Sequence, residues 1–114
     1  MAVIYHNPRC GTSRNVLKAL QDHGLEVEVI EYLKHPLGRD ALAKLIADAG
    51  LSVREAIRSK EARYTELGLD DPSLTDDALL HAVEENPILM NRPFVVTDKG
   101  TRLCRPAEVI QEIL

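Results

Sequence analysis

The first thirty positions of this 114-residue chain constrain its fold more than any other stretch. Ala2-Val3-Ile4-Tyr5 is a short, apolar, β-prone run that reads as a buried strand. His6-Asn7-Pro8-Arg9-Cys10-Gly11 is loop chemistry, and from Thr12 the apolar positions Val16, Leu17 and Leu20 form a helical stripe. Gly24 stops that helix, because glycine adopts the left-handed conformation a helix C-terminus needs. Val27 and Val29 then alternate with Glu26 and Glu28, so a second strand runs on through Ile30. Strand, helix and strand in so short a span predict a βαβ unit with parallel strands and a right-handed crossover.

The middle of the chain carries helix signals and no strand signal. Leu42, Leu45, Ile46 and Ala49 mark one helical face, ended by Gly50. Ser52-Val53-Arg54-Glu55 has capping-box spacing and predicts a helix carrying Ile57 and Arg58. A weaker segment from Glu61 to Leu67 closes at Gly68, and Thr75 is placed to cap a further helix that ends at Asn86-Pro87. The tail returns to β structure. Pro93–Thr97 and Thr101–Cys104 flank Asp98-Lys99-Gly100, which reads as a three-residue hairpin loop. Pro106 suits the first turn of a last helix with Val109, Ile110, Ile113 and Leu114 on its apolar face. The whole is expected to be one α/β domain over residues 1–114, βαβ then ββα around a small mixed sheet. A helical insertion at about 37–90 interrupts it, giving a thioredoxin-like arrangement.

Net charge is −4, which argues against a protein that coats nucleic acid. No apolar run reaches the length that spans a bilayer, and no secretory leader is visible, so a cytoplasmic protein is expected. With no apolar stripe left over for an interface, a monomer is expected. Nine of the fourteen positive residues are Arg, the better side chain for gripping oxyanions. The two cysteines, Cys10 and Cys104, form neither a CxxC pair nor a disulfide framework. His23, His35 and His81 have no ligand spacing to either, so no metal site is expected.

Cys10 lies at a strand-to-helix junction, where free amides and the positive end of the helix dipole favour a thiolate. Gly11 and Thr12 would supply backbone N–H groups to an anion, Ser13 a hydroxyl to the sulfur, and His6 a charge or hydrogen bond. The competing reading makes Cys10 a small buried hydrophobe and His6 and Ser13 ordinary structural residues. Cys104, in a hairpin strand, reads as a core thiol. A phosphatase-type loop would need Arg six positions after its Cys; that position is Val16, so any oxyanion must be held by arginines from elsewhere.

His6-Asn7-Pro8-Arg9-Cys10-Gly11-Thr12-Ser13-Arg14-Asn15, with Asn91-Arg92-Pro93 and Thr101-Arg102-Leu103-Cys104-Arg105-Pro106, resembles the glutaredoxin-coupled arsenate reductase (ArsC) family from Ile4 to Ile113. The resemblance implies reduction of arsenate to arsenite with glutathione and glutaredoxin, and no bound cofactor. It puts the nucleophile on Cys10, tuning residues on His6 and Ser13, and anion-binding arginines on Arg58, Arg92 and Arg105. Pro93 matches the family's cis proline. Arg54 and Arg63 are rivals of Arg58 for the insertion's contribution. Two other readings of the Cys loop stand beside this one: a monothiol-glutaredoxin-like exchange protein, and a non-enzymatic regulator resembling the Spx proteins.

Overall fold

The computed structural model describes residues 1–114. They fall into two compact units, one made of Met1–His35 with Arg92–Leu114, the other of Pro36–Asn91.

The first unit is built on a four-stranded sheet in the order β2-β1-β3-β4. Strand β1 (Ala2–Tyr5) pairs parallel with β2 (Val27–Ile30) in the register Ala2↔Val27 to Tyr5↔Ile30. Helix α1 (Gly11–Asp22) makes the connection. It turns Ser13, Val16 and Leu20 inward at helical spacing. It ends where Gly24, at φ +82, sends its N–H to Gln21 O. Strand β3 (Phe94–Thr97) runs antiparallel to β1, and β4 (Gly100–Leu103) antiparallel to β3. Ala2, Ile4, Val16, Leu20, Val95, Cys104, Ile110 and Ile113 form one core cluster. Full burial of each large aliphatic among them is worth about 1.5–3 kcal/mol. Because β2 is an edge strand, Val29 is exposed rather than turned into that core.

Register puts the chemistry at one end of this sheet. Tyr5, the last residue of β1, faces Phe94, the first of β3, which in turn faces Leu103, the last of β4. The segments just beyond these residues are His6–Cys10, Arg92–Pro93 and Cys104–Arg105, so all three emerge together.

Two local expectations for this unit are corrected. Thr97 pairs with Gly100, so the hairpin loop is Asp98-Lys99 alone and Gly100 belongs to β4. Its φ of +140 is still a conformation that favours glycine. The last helix, Ala107–Ile113, is a 3-10 helix that buries Ile110 and Ile113, with Val109 only half-buried.

The second unit holds helices α2 (Arg39–Asp48), α3 (Ala62–Glu66) and α4 (Asp76–Glu85). Thr75 caps α4 by accepting from the Ala78 N–H, whereas α2 starts at Gly38 and has the Glu84 carboxylate take its Arg39 N–H. The capping box at Ser52 and Glu55 forms reciprocally, but the helix it announces is a single 3-10 turn, Arg54–Ala56. Ile57 is extended and bridges Met90, and the Arg58 N–H goes to Leu89 O. A partner distant in sequence takes the hydrogen bond that another helical turn would have used, so neither Ile57 nor Arg58 is helical.

Candidate active site

Cys10 is the N-cap of α1 and is 8% exposed. Its own N–H is held by Asn7 O at 3.0 Å, and its carbonyl accepts the Arg14 N–H at 3.0 Å, the first bond of the helix. The sulfur therefore stands where a capping oxygen would stand, next to amides with no partner within the helix. Burial pushes the thiol up, but the Ser13 backbone N–H and the Arg92 and Arg105 guanidinium groups more than reverse this. The outcome is a pKa of about 7 against an ordinary 9.0. Cys10 thus carries far more thiolate at neutral pH than an ordinary cysteine.

Arg105 Nη1 lies 3.7 Å from Cys10 Sγ and also donates to Arg92 O at 3.2 Å. One arginine thus orients the other while both face the same sulfur. Arg92 is 9% exposed, and the peptide bonds Arg92–Pro93 and Arg105–Pro106 are both cis.

Ser13 acts differently from the sequence expectation. Its backbone N–H serves the sulfur, while its fully buried hydroxyl lies 2.6 Å from His6 Nδ1 and accepts the Asn7 N–H at 3.1 Å. His6 is also buried; desolvation, with Arg14 adding to it against the opposing Glu31, lowers its pKa, so it meets Ser13 as a neutral ring. Of the charge or hydrogen bond expected of His6, the structure has the hydrogen bond, made to Ser13 rather than to the sulfur. Gly11 and Thr12 are the first two residues of α1, where their N–H groups have no intrahelical acceptor.

Cys104 is a different kind of thiol. It is fully buried in the core, and desolvation, assisted by Glu112, pushes it up to about 12. Both cysteines are free. Arg58 belongs to the other unit, where it donates to Glu61 through Nε alone. Its rivals are more fully engaged. Arg54 binds the carbonyls of Leu69 and Asp71, and Arg63 binds Asn86 and Glu66.

Sequence reading passed over two supports of the loop. Asn7, 4% exposed, accepts the Arg9 N–H on Oδ1, and Arg14 closes the loop by donating to Pro8 O at 2.9 Å. The signal for Asn7 was present, since Asn two residues before a loop N–H is the residue of an Asx turn.

A low-pKa thiolate at a helix N-terminus with two arginines on it is a site for an oxyanion and a nucleophile together. The ArsC family model matches residues 5–113. The chain belongs to the ArsC family. Among its relatives, an "Arsenate reductase" of Rhizobium meliloti is 59% identical over 111 residues, covering 97% of this chain and 79% of the relative. An "Arsenate reductase" of Escherichia coli strain K12 is 55% identical over the same shares. A solved arsenate reductase from Vibrio cholerae superposes with a TM-score of 0.95 at 44% identity, covering 99% of this chain and 97% of that one. The ArsC chain is accordingly α/β and thioredoxin-like, with a small mixed sheet and helices.

Proposed function

We propose that this chain reduces arsenate to arsenite, with glutathione and glutaredoxin supplying the electrons. The observation that carries the reading is the Cys10 sulfur held at a pKa of about 7 between the Ser13 amide, Arg92 and Arg105, in a chain of the ArsC family. Arsenate near neutral pH is mostly a dianion, and a thiolate beside it adds a further negative charge. That cluster is costly in a partly desolvated site unless positive charge matches it. Arg58, Arg92 and Arg105 would supply three charges that are not lost by deprotonation.

The Cys10 thiolate attacks As(V), an As–O bond breaks and the oxygen leaves as water or hydroxide, giving an S–As(V) adduct. The amides of Gly11 and Thr12 and the three arginines hold the remaining arsenic oxygens. Glutathione thiolate then attacks. As the Cys10–glutathione S–S bond forms, the S–As bond breaks with its electron pair passing to arsenic, so As(V) leaves as As(III) in arsenite and the two sulfurs remain as a mixed disulfide. Glutaredoxin takes the glutathione from Cys10 by thiol exchange. Glutathione is required from outside because Cys104, fully buried with its thiol pushed up to about 12, is not available as a resolving thiol. Unpaired cysteines and a glutathione-dependent cycle support the reducing cytoplasm as its compartment.

The test is NADPH oxidation coupled through glutathione reductase, glutathione and glutaredoxin, with arsenate and phosphate compared. Arsenate-dependent turnover is expected, abolished by Cys10→Ser and retained by Cys104→Ala. Turnover that survives Cys10→Ser would refute the mechanism. No arsenate-dependent turnover with several glutaredoxins would refute the activity.

A further inference from the structure

The Cys loop has an organiser outside the residues that meet the anion. Asn7 sits between β1 and the nucleophile, almost fully buried, and uses three polar groups within one loop. Its backbone N–H donates to Ser13 Oγ at 3.1 Å, its backbone carbonyl accepts the Cys10 N–H at 3.0 Å, and its side-chain Oδ1 accepts the Arg9 N–H at 3.0 Å. We propose that Asn7 is a positioning residue for the nucleophile, its three bonds folding residues 7–13 so that the Cys10 sulfur stands at the N-terminus of α1.

Each bond has a distinct task. The Asx turn through Oδ1 reverses the chain directly after β1, over the segment in which Pro8 has no N–H to contribute. The bond to the Cys10 N–H fixes where the helix begins and so which side chain is its N-cap. The bond to Ser13 Oγ ties the third residue of the helix to the loop's start, which fixes the amide that faces the sulfur. The side chain chooses among residue types on charge as well as shape. Asp would close the same turn, but would bring a carboxylate into a loop built to favour a thiolate. Asn supplies the acceptor without the charge.

This inference rests on Cys10 as the nucleophile but is read without arsenate. The measurement is the pH profile of Cys10 alkylation by iodoacetamide on the folded protein, with thermal melts run alongside; Cys104 is buried and stays silent. Asn7→Ala removes the Oδ1 bond that holds the turn while keeping the two backbone bonds, now without the turn that aims them; its midpoint is expected to rise by about one pH unit, and alkylation at pH 6 to slow by about three- to tenfold. Asn7→Ser, whose hydroxyl can accept in a similar turn, is expected to recover part of the shift. Asn7→Asp is expected to raise the midpoint in a salt-sensitive way, while the Asn7→Ala shift is insensitive to salt. A purely structural Asn7 would lower the melting temperature and leave the midpoint in place. An Asn7→Ala midpoint matching the wild type, or equal shifts in the Ala and Ser variants, would overturn the proposal. A wild-type midpoint near the ordinary 9.0 would instead overturn the thiolate reading of Cys10 itself.

Discussion

Replacing Arg105 by Met removes a charge while leaving a stem of similar bulk, and the structure says how much the thiolate should lose. Arg105 Nη1 is 3.7 Å from Cys10 Sγ. Unit charges at that separation attract by ~1 kcal/mol in water and by ~4 kcal/mol at an effective dielectric of about 20. Arg105 is exposed, so solvent screening puts its contribution towards the lower figure. A loss of ~1.4 kcal/mol corresponds to a rise of about one pH unit in the thiol midpoint. The Cys10 midpoint should therefore move up from about 7 yet stay below 9.0, because the Ser13 amide and Arg92 remain. At pH 7 the thiolate fraction falls from about half to about a tenth. The assay is thiolate ultraviolet absorbance or alkylation rate against pH, with arsenate absent, so that loss of anion binding is not confused with loss of thiolate. A variant that folds normally and titrates with the wild type would refute Arg105 as counterion to the sulfur. The shift should shrink in high salt, since the pair is near the surface.

Further outcomes follow from the same structure. Because the Cys10 pKa is lower folded than unfolded, its stabilisation is complete above the unfolded value and disappears as pH falls through about 7. Urea unfolding of wild type against Cys10→Ala should show a gap that grows by about 2–3 kcal/mol from pH 6 to pH 9.5; a flat difference would contradict the depressed pKa. Cys104→Ala should lose about 1 kcal/mol of stability while leaving the Cys10 titration intact, and native protein should label at one thiol and denatured protein at two, counted by mass spectrometry. Thr75→Ala should lose about 1 kcal/mol through the missing α4 cap, and Thr75→Ser should restore most of it in the same melts.

The legible parts of this fold are those whose cause is local. β1, α1 and β2 follow from apolar spacing and a glycine stop, and Gly24, Gly50 and Gly68 each adopt the positive φ their placement after a helix implies. Cys10 was legible as a helix-start cysteine for the same reason. Where sequence reading failed, the deciding partner was remote. The Ser52 capping box forms, yet Met90 and Leu89 draw Ile57 and Arg58 into an extended bridge. The hairpin loop length depended on cross-strand register, which pairs Gly100 with Thr97. At the site, residue types were readable but the division of labour was not. Whether Ser13 offers its hydroxyl or its amide depends on His6 and Asn7 claiming the hydroxyl first. The side chain of Asn7 was legible as that of an Asx turn, but its two backbone bonds, to Ser13 Oγ and from the Cys10 N–H, are not announced by residue identity.

The sulfur and the charges on it are far apart in chain order. Cys10 belongs to the first tenth of the sequence, while the two guanidinium groups that face it are at 92 and 105. During synthesis the cysteine is made about eighty residues before Arg92, so at first only the nearby Ser13 amide is present to favour its thiolate. Only when β3 and β4 pair onto β1 do Arg92 and Arg105 reach the sulfur. The arginines' share of the activation therefore depends on long-range pairing, whereas the share of the Ser13 amide comes with the start of α1.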